Sequence, residues 1–171
     1  MRISVRTREE RNLLYKCGIL FFIIIGLDQL TKYLVVADSG LVSRPLVVIS
    51  GLFNIVSVRN TGAAWGMFQN NNVILFLVAF IAFSVLIIFF RSIAEGCSER
   101  YIALSLVLSG IVGNSLDRIF RKSVVDFLDF YYGSYHWPAF NVADSAICIG
   151  VCLLVISFLL RKPLDREAVN Q

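Results

Sequence analysis

The 171 residues carry 16 Lys and Arg against 12 Asp and Glu, one His and four Cys, for a net charge of +4. They are 57% hydrophobic with a mean hydropathy of +0.75, which excludes an ordinary water-soluble domain. The positive charge flanks apolar runs and forms no basic patch, so a nucleic-acid partner is excluded as well.

Four apolar runs, 13–36, 73–90, 101–120 and 139–160, are each about long enough to cross a ~30 Å hydrocarbon core as a helix. One all-α membrane domain of four transmembrane helices, with a small extracytoplasmic β-hairpin or cradle, accounts for residues 1–171. The basic head followed by Cys17–Gly26 is superficially like a secretory signal peptide. The run instead continues through Asp28-Gln29-Leu30-Thr31-Lys32 to Val36 with no small-x-small cleavage site, so the first helix is expected to stay.

The first outside segment, 37–72, is too long for a tight turn. Within it Leu46–Ile49 and Leu52–Val58, rich in Val and Ile and split by Ser50-Gly51, read as a hairpin. Thr61-Gly62-Ala63-Ala64-Trp65-Gly66-Met67-Phe68 follows at the expected membrane interface. The second run is uncharged, and 91–100 is a short cytoplasmic link. The third run ends in Gly113-Asn114-Ser115-Leu116-Asp117-Arg118. The second outside segment, 121–138, reads as a loop with Val124-Val125-Asp126-Phe127 and an aromatic group, Tyr131, Tyr132, Tyr135 and Trp137, suited to an interfacial belt. The fourth run enters through Phe140-Asn141-Val142-Ala143-Asp144.

With the N-terminus inside, ten Lys and Arg fall on the cytoplasmic side, among them Arg2, Arg6, Lys162 and Arg166, against six outside. That bias favours both termini in the cytoplasm. None of the four cysteines falls in an outside segment, where disulfides form. Cys148 and Cys152, at i,i+4, resemble half a metal site, but no His or second Cys pair accompanies them. They read as packing residues, and no metal is expected.

Polar groups inside such a chain are costly, roughly 2.5 to 3.5 kcal/mol for a mid-bilayer carboxylate. Asp28 lies roughly 12 Å below the outer end of the first helix at 1.5 Å per residue. Asn114 and Asp117 share one helix face at i,i+3, as do Asn141 and Asp144. Asp126 hangs from the connection between those helices. The topology therefore gathers six groups at one outward-facing site. Carboxylates held close together cannot both ionise cheaply, so one keeps a proton while the other activates water. No Ser/His/Asp set competes, since the one histidine is His136, and nothing supplies a serine partner for Lys32.

Each residue also has a plain structural reading. Asp28 and Lys32 make an i,i+4 ion pair, Asp117 has Arg118 beside it, and Asn141 suits a helix cap. Gly110 and Gly113 read first as helix-packing contacts. The cytoplasmic halves of the four runs contain no acid.

Asp28-Gln29-Leu30-Thr31-Lys32, Asn60-Thr61-Gly62-Ala63-Ala64-Trp65-Gly66, Gly113-Asn114-Ser115-Leu116-Asp117-Arg118, Val124-Val125-Asp126-Phe127 and Phe140-Asn141-Val142-Ala143-Asp144-Ser145 closely resemble the signature blocks of lipoprotein signal peptidases (signal peptidase II). They stand in the family's order, and one small departure is Ser109-Gly110 where many members have Gly-Gly. The resemblance implies an aspartic endopeptidase of the bacterial inner membrane. Its substrate would be a diacylglyceryl-modified prolipoprotein, cut on the N-terminal side of the lipidated cysteine. It also implies a catalytic pair of Asp126 and Asp144. Asp28, Lys32, Asn60, Gly62, Asn114, Asp117, Arg118 and Asn141 are expected to line the pocket and hold substrate. No cofactor is expected, membrane lipid is the surrounding partner, and a monomer is expected.

The competing reading is a small proton-coupled transporter, which also uses intramembrane acids. Its acids should trace a path towards the other face, and here they gather at one. A structural assembly subunit leaves five polar blocks on one side unexplained.

Overall fold

The computed structural model describes residues 8–38, 40–62, 69 and 71–161. The segment 63–68, and the basic residues Arg2, Arg6, Lys162 and Arg166 that weighed in the orientation, lie outside these.

The chain opens with α1, Arg8–Ala37, of 30 residues, about 45 Å long at 1.5 Å per residue. A short helical turn, α2 (Gly40–Ser43), leads into the antiparallel hairpin of β1 (Leu46–Ile49) and β2 (Phe53–Asn60). Its turn falls at Ser50-Gly51, where Gly51 has φ +79°, a conformation that L side chains rarely adopt. α3 (Asn72–Ile88) and the short α4 (Phe90–Ala94) are separated by a break at Phe89. α5 (Ser98–Phe120) follows, then β3 (Val124–Tyr132), β4 (Tyr135–His136) and α6 (Val142–Leu160).

β3 and β4 correct the expectation of a loop between the last two helices. β3 pairs with β2 and then with β4, giving one four-stranded antiparallel order β1-β2-β3-β4. The chain is mostly helical but carries a true sheet, larger than the expected hairpin. Stacked Phe53, Phe130 and Phe140 rings, with centroids 4.7 and 5.8 Å apart, fasten that sheet to the entry of α6.

α5 is the axis of the bundle. Twelve of its residues are buried, and α1 and α6 pack against it through small residues. A Cβ placed on Gly110 would stand 2.3 Å from the Ala143 carbonyl oxygen, and one on Gly150 2.6 Å from that of Ala103. Backbones approach this closely only where side chains are absent, the usual solution for helices in lipid. The outer surface is apolar: Phe22, Ile88 and Leu160 are each more than 70% exposed, and α3 buries no residue fully. Such a surface suits a hydrocarbon surround.

Among the described residues three helices, α1, α5 and α6, are long and apolar enough to span a membrane. The expected second span is α3, with 17 residues, at the lower edge of the roughly 17 to 25 that a span takes. At the end away from the sheet, α1 and α5 begin earlier than their apolar runs, so Glu10 and Glu99 lie within helices. Arg100 is buried there against Glu95, the Ser157 hydroxyl at 2.9 Å and the Phe158 ring at 4.0 Å. That end is therefore not free of acids, as the apolar runs alone suggest.

Candidate active site

Five elements meet at one end of the bundle: the last turns of α1 and α5, the end of β2, the start of β3, and the first turn of α6. Asn141 is the N-cap of α6 and makes a reciprocal capping box with Asp144. The Asn141 Oδ1 accepts from the Asp144 backbone N–H at 3.0 Å, and its own N–H donates to Asp144 Oδ2 at 3.2 Å. Pro138 sits three residues upstream, and the cap satisfies donors that would otherwise be bare, a gain of about 0.5–2 kcal/mol. The helix therefore starts at Val142 and not at Ala139.

The cap leaves the Asn141 Nδ2 group for other acceptors. It donates to Asp126 Oδ1 at 2.7 Å and lies within 3.3 Å of the Val125 carbonyl and Asn114 Oδ1. Asp126 reaches this point because β2 and β3 pair with Val58 opposite Asp126 and Asn60 opposite Val124. Asn60 is then a diagonal neighbour on the same face, and its Nδ2 donates to Asp126 Oδ2 at 3.0 Å. The Asn60 Oδ1 accepts from the Gly62 N–H at 2.9 Å, which fixes the amide's orientation. Asn114, one turn before Asp117 on α5, donates Nδ2 to Asp144 Oδ1 at 2.7 Å.

Both oxygens of both carboxylates are thus met by fixed donors. Asp126 and Asp144 open onto one cavity of about 800 Å³. Asn60, Gly62, Asn114 and Arg118 line it, together with apolar groups such as Val58, Val124, Phe140 and Ile147. Burial first, and then the neighbouring Asp144 charge, push the Asp126 carboxyl up to about 6, against the pull of Asn60, Asn141 and Lys32. A carboxyl that gives up its proton only around pH 6, beside a second carboxylate, can exchange protons with a bound water.

The remaining expected residues stand behind the cavity wall. Asp28, Lys32, Asp117 and Asn141 have no exposed surface. Lys32 Nζ contacts Asp28 Oδ2 at 2.9 Å and Asp117 Oδ2 at 3.1 Å. Asp28 Oδ1 accepts from the Ala143 N–H at 2.9 Å, tying α1 to α6, and Gly113 leaves room for that carboxylate. Asp117 accepts from the Val125 N–H at 3.0 Å and pairs with Arg121. Arg118 turns instead to the Gly62 carbonyl at 3.3 Å.

Sequence reasoning missed Arg121 and Gln29. The i,i+4 rule that discounts Arg118 as a partner for Asp117 points directly to Arg121. Gln29 bridges Asp28 Oδ2 and the Gly113 carbonyl, each at 3.1 Å, and accepts from Arg121. Cys148 and Cys152 are both exposed, so neither is the packing residue expected, and Cys148 lines the cavity one turn beyond Asp144. Nothing in their spacing signals this.

Residues 20–160 match the family model described as Signal peptidase (SPase) II. The chain is 41% identical over 152 residues to a lipoprotein signal peptidase of Bacillus pumilus (strain SAFR-032), covering 89% of this chain and 97% of that one. Two solved structures described as bacterial membrane enzymes, obtained by the in meso method at 2.3 and 1.9 Å, are similar at 33% identity. They superpose with TM-scores of 0.77 and 0.75, over 88% and 86% of this chain and 94% of each of theirs. With the family's sequence pattern and the fold of these bacterial membrane enzymes both matched over nearly the whole chain, this protein belongs to the signal peptidase II family.

Proposed function

We propose that this protein removes the signal peptide from diacylglyceryl-modified prolipoproteins, cutting N-terminal to the lipidated cysteine, by an aspartic mechanism. Asp126 and Asp144 share one proton. The ionised member takes a proton from a water as its oxygen attacks the scissile carbonyl carbon. The protonated member then gives its proton to the leaving amine, and the pair returns to one proton. The observation that carries this reading is that two carboxylates, each held by asparagine amides, open onto one cavity. Asn60, Gly62, Asn114 and Arg118 face the substrate, while Asp28, Lys32, Asp117 and Asn141 hold the wall.

In this reading the chain crosses the bacterial inner membrane four times, α3 included, with both termini cytoplasmic and the sheet outside. Signal peptide and acyl chains arrive laterally from lipid. The cavity's apolar wall receives the substrate, and its polar mouth admits water. All the groups of the proposed mechanism come from one chain, so a monomer suffices. A transporter reading needs a polar path through the bundle. Among the described residues, the buried serines midway along α5, Ser105 and Ser109, turn their hydroxyls to carbonyls of their own helix.

The test is a gel-shift assay with purified protein and two versions of one prolipoprotein, with and without the diacylglyceryl group. Cleavage of the lipidated form alone is expected. Equal cleavage of both would remove the lipid from substrate recognition, and no cleavage of either would sink the reading.

A further inference from the structure

Lys32 lies on α1, has no exposed surface and does not line the cavity. Its ammonium has three acceptors: Asp28 Oδ2 at 2.9 Å, Asp117 Oδ2 at 3.1 Å and Asn114 Oδ1 at 3.0 Å. The Asp117 contact alone would be enough for a clamp between α1 and α5, since Asp28 shares α1 with Lys32. The third contact ends on an amide whose other half holds Asp144.

We propose that Lys32 is a positioning residue of the hydrolytic site, fixing the Asn114 amide so that its N–H faces Asp144. The proposal rests on the reading of Asp126 and Asp144 as the catalytic pair. A carboxamide can present oxygen or nitrogen on either side, and the neighbours decide which. Here Asn114 Oδ1 faces two groups that can only donate, Lys32 Nζ at 3.0 Å and Asn141 Nδ2 at 3.2 Å. Turned over, Asn114 would set its NH₂ against those donors and its oxygen against the Asp144 carboxylate, losing three contacts together. Asn141 alone is the weaker guide, because its two N–H groups are shared with Asp126 and the Val125 carbonyl. The ammonium is charged and closer, and charge-assisted bonds are roughly twice as strong as neutral ones.

The surrounding charges balance, Asp28 and Asp117 against Lys32 and Arg121. Lys32 acts on Asp144 through the amide as well as through its own charge.

Lys32→Met alone strands a buried carboxylate and can fail to fold, so the test uses Asp28→Asn as parent. The carboxamide oxygen of that parent still accepts from the Ala143 N–H, while its NH₂ replaces the acceptor beside Lys32 and Gln29. Lys32→Met then relieves that opposition and leaves Asp117 paired with Arg121. Kinetics on lipidated prolipoprotein are measured for the parent, for the parent with Lys32→Met, with Asn114→Ala, and with both. The expected result is a loss of at least about tenfold in kcat for each, KM within about twofold, and a combined variant no worse than the poorer single one. Losses that multiply, or a raised KM with unchanged kcat, overturn the proposal. So does a parent that folds only with Lys32, since that places the residue in assembly. A wild type that cleaves nothing is a different outcome, sinking the peptidase reading itself.

Discussion

Asn141 Nδ2 stands 2.7 Å from Asp126 Oδ1, joining a β-strand carboxylate to the helix cap that carries Asp144. One buried side chain thus sets the position of both acids. Its amide oxygen is committed to the Asp144 backbone, so the amide cannot turn without breaking the cap.

Cap and orientation are separable by substitution. Asn141→Ala should lose about 0.5–2 kcal/mol of stability through the cap and, with Asp126 released, about a hundredfold in kcat. Asn141→Ser keeps a capping oxygen but no amide N–H. It should recover most of the thermal stability and little of the turnover. Wild-type turnover in a folded Asn141→Ser protein would remove the positioning role.

The two acids themselves are tested by isosteric amides. Asp126→Asn and Asp144→Asn should each abolish cleavage while lipidated substrate still binds, measured by co-purification or a spectroscopic titration. Asp117→Asn should weaken the contacts to Lys32, Arg121 and the Val125 N–H, and so damage the site through geometry. Detectable turnover at high enzyme concentration is expected to remain. An Asp126→Asn protein that turns over where an equally folded Asp117→Asn does not would reverse the assignment.

The raised Asp126 carboxyl makes stability depend on pH with a definite sign. Its folded value of about 6 lies above the ordinary 3.8. The fold therefore favours the protonated form, an advantage full below about pH 4 and lost as pH rises through 6. An amide in its place is neutral throughout. Asp126→Asn should match wild type near pH 4 and exceed it by about 2–3 kcal/mol at pH 8. Thermal unfolding in detergent across that range reads the difference, and a gap independent of pH would contradict it.

Topology is open to direct labelling. A cysteine introduced at Glu95, in the turn between α4 and α5, should react with permeant reagents only, in a background lacking the native cysteines. One introduced at Gly133, in the β3–β4 turn, should react with impermeant ones. Exclusive outside labelling near Glu95 would invert the proposed orientation.

The polar half of the site was legible in the sequence because lipid makes each buried polar residue expensive. Asp28, Asn114, Asp117, Asn141 and Asp144 stood out for that reason, and topology brought them to one end. The β1–β2 hairpin followed from Ser50-Gly51 between β-branched runs. β3 was not legible as a strand, because Asp126 and Asp129 at i,i+3 break the period of two in a segment buried on both faces at its start. The depth of each polar group was equally hidden. Spacing places Asp117 on a helix face, but only packing shows it sealed behind the wall with Lys32 and Arg121. Helix starts were missed for a related reason: Glu10 pairs with Arg91, Arg100 with Glu95 and Glu99 with Arg161 at the bundle end, so the helices run on past their apolar stretches.

The spacing of α5 and α6 offers the last test, since the helices carry Asn114 and Asp144 across it. Gly110 lies one turn from Asn114, and a Cβ there would meet the Ala143 carbonyl at 2.3 Å and the Ile147 side chain at 2.6 Å. Backbone cannot yield as a side-chain tip can, so Gly110→Ala must push the helices apart near the site. The 2.7 Å bond from Asn114 to Asp144 would then lengthen. A displacement of about 1 Å in such a site can cost about a hundredfold in rate. Gly18→Ala and Gly26→Ala, on the open face of α1 with nothing within 4 Å, serve as controls. They should be neutral or stabilising by about 0.5–1 kcal/mol, the helix preference of Ala over Gly. Gly110→Ala should therefore lower both thermal stability and kcat, while the two α1 variants lower neither. If Gly110→Ala keeps wild-type turnover, the separation of α5 and α6 does not control the geometry of the two carboxylates.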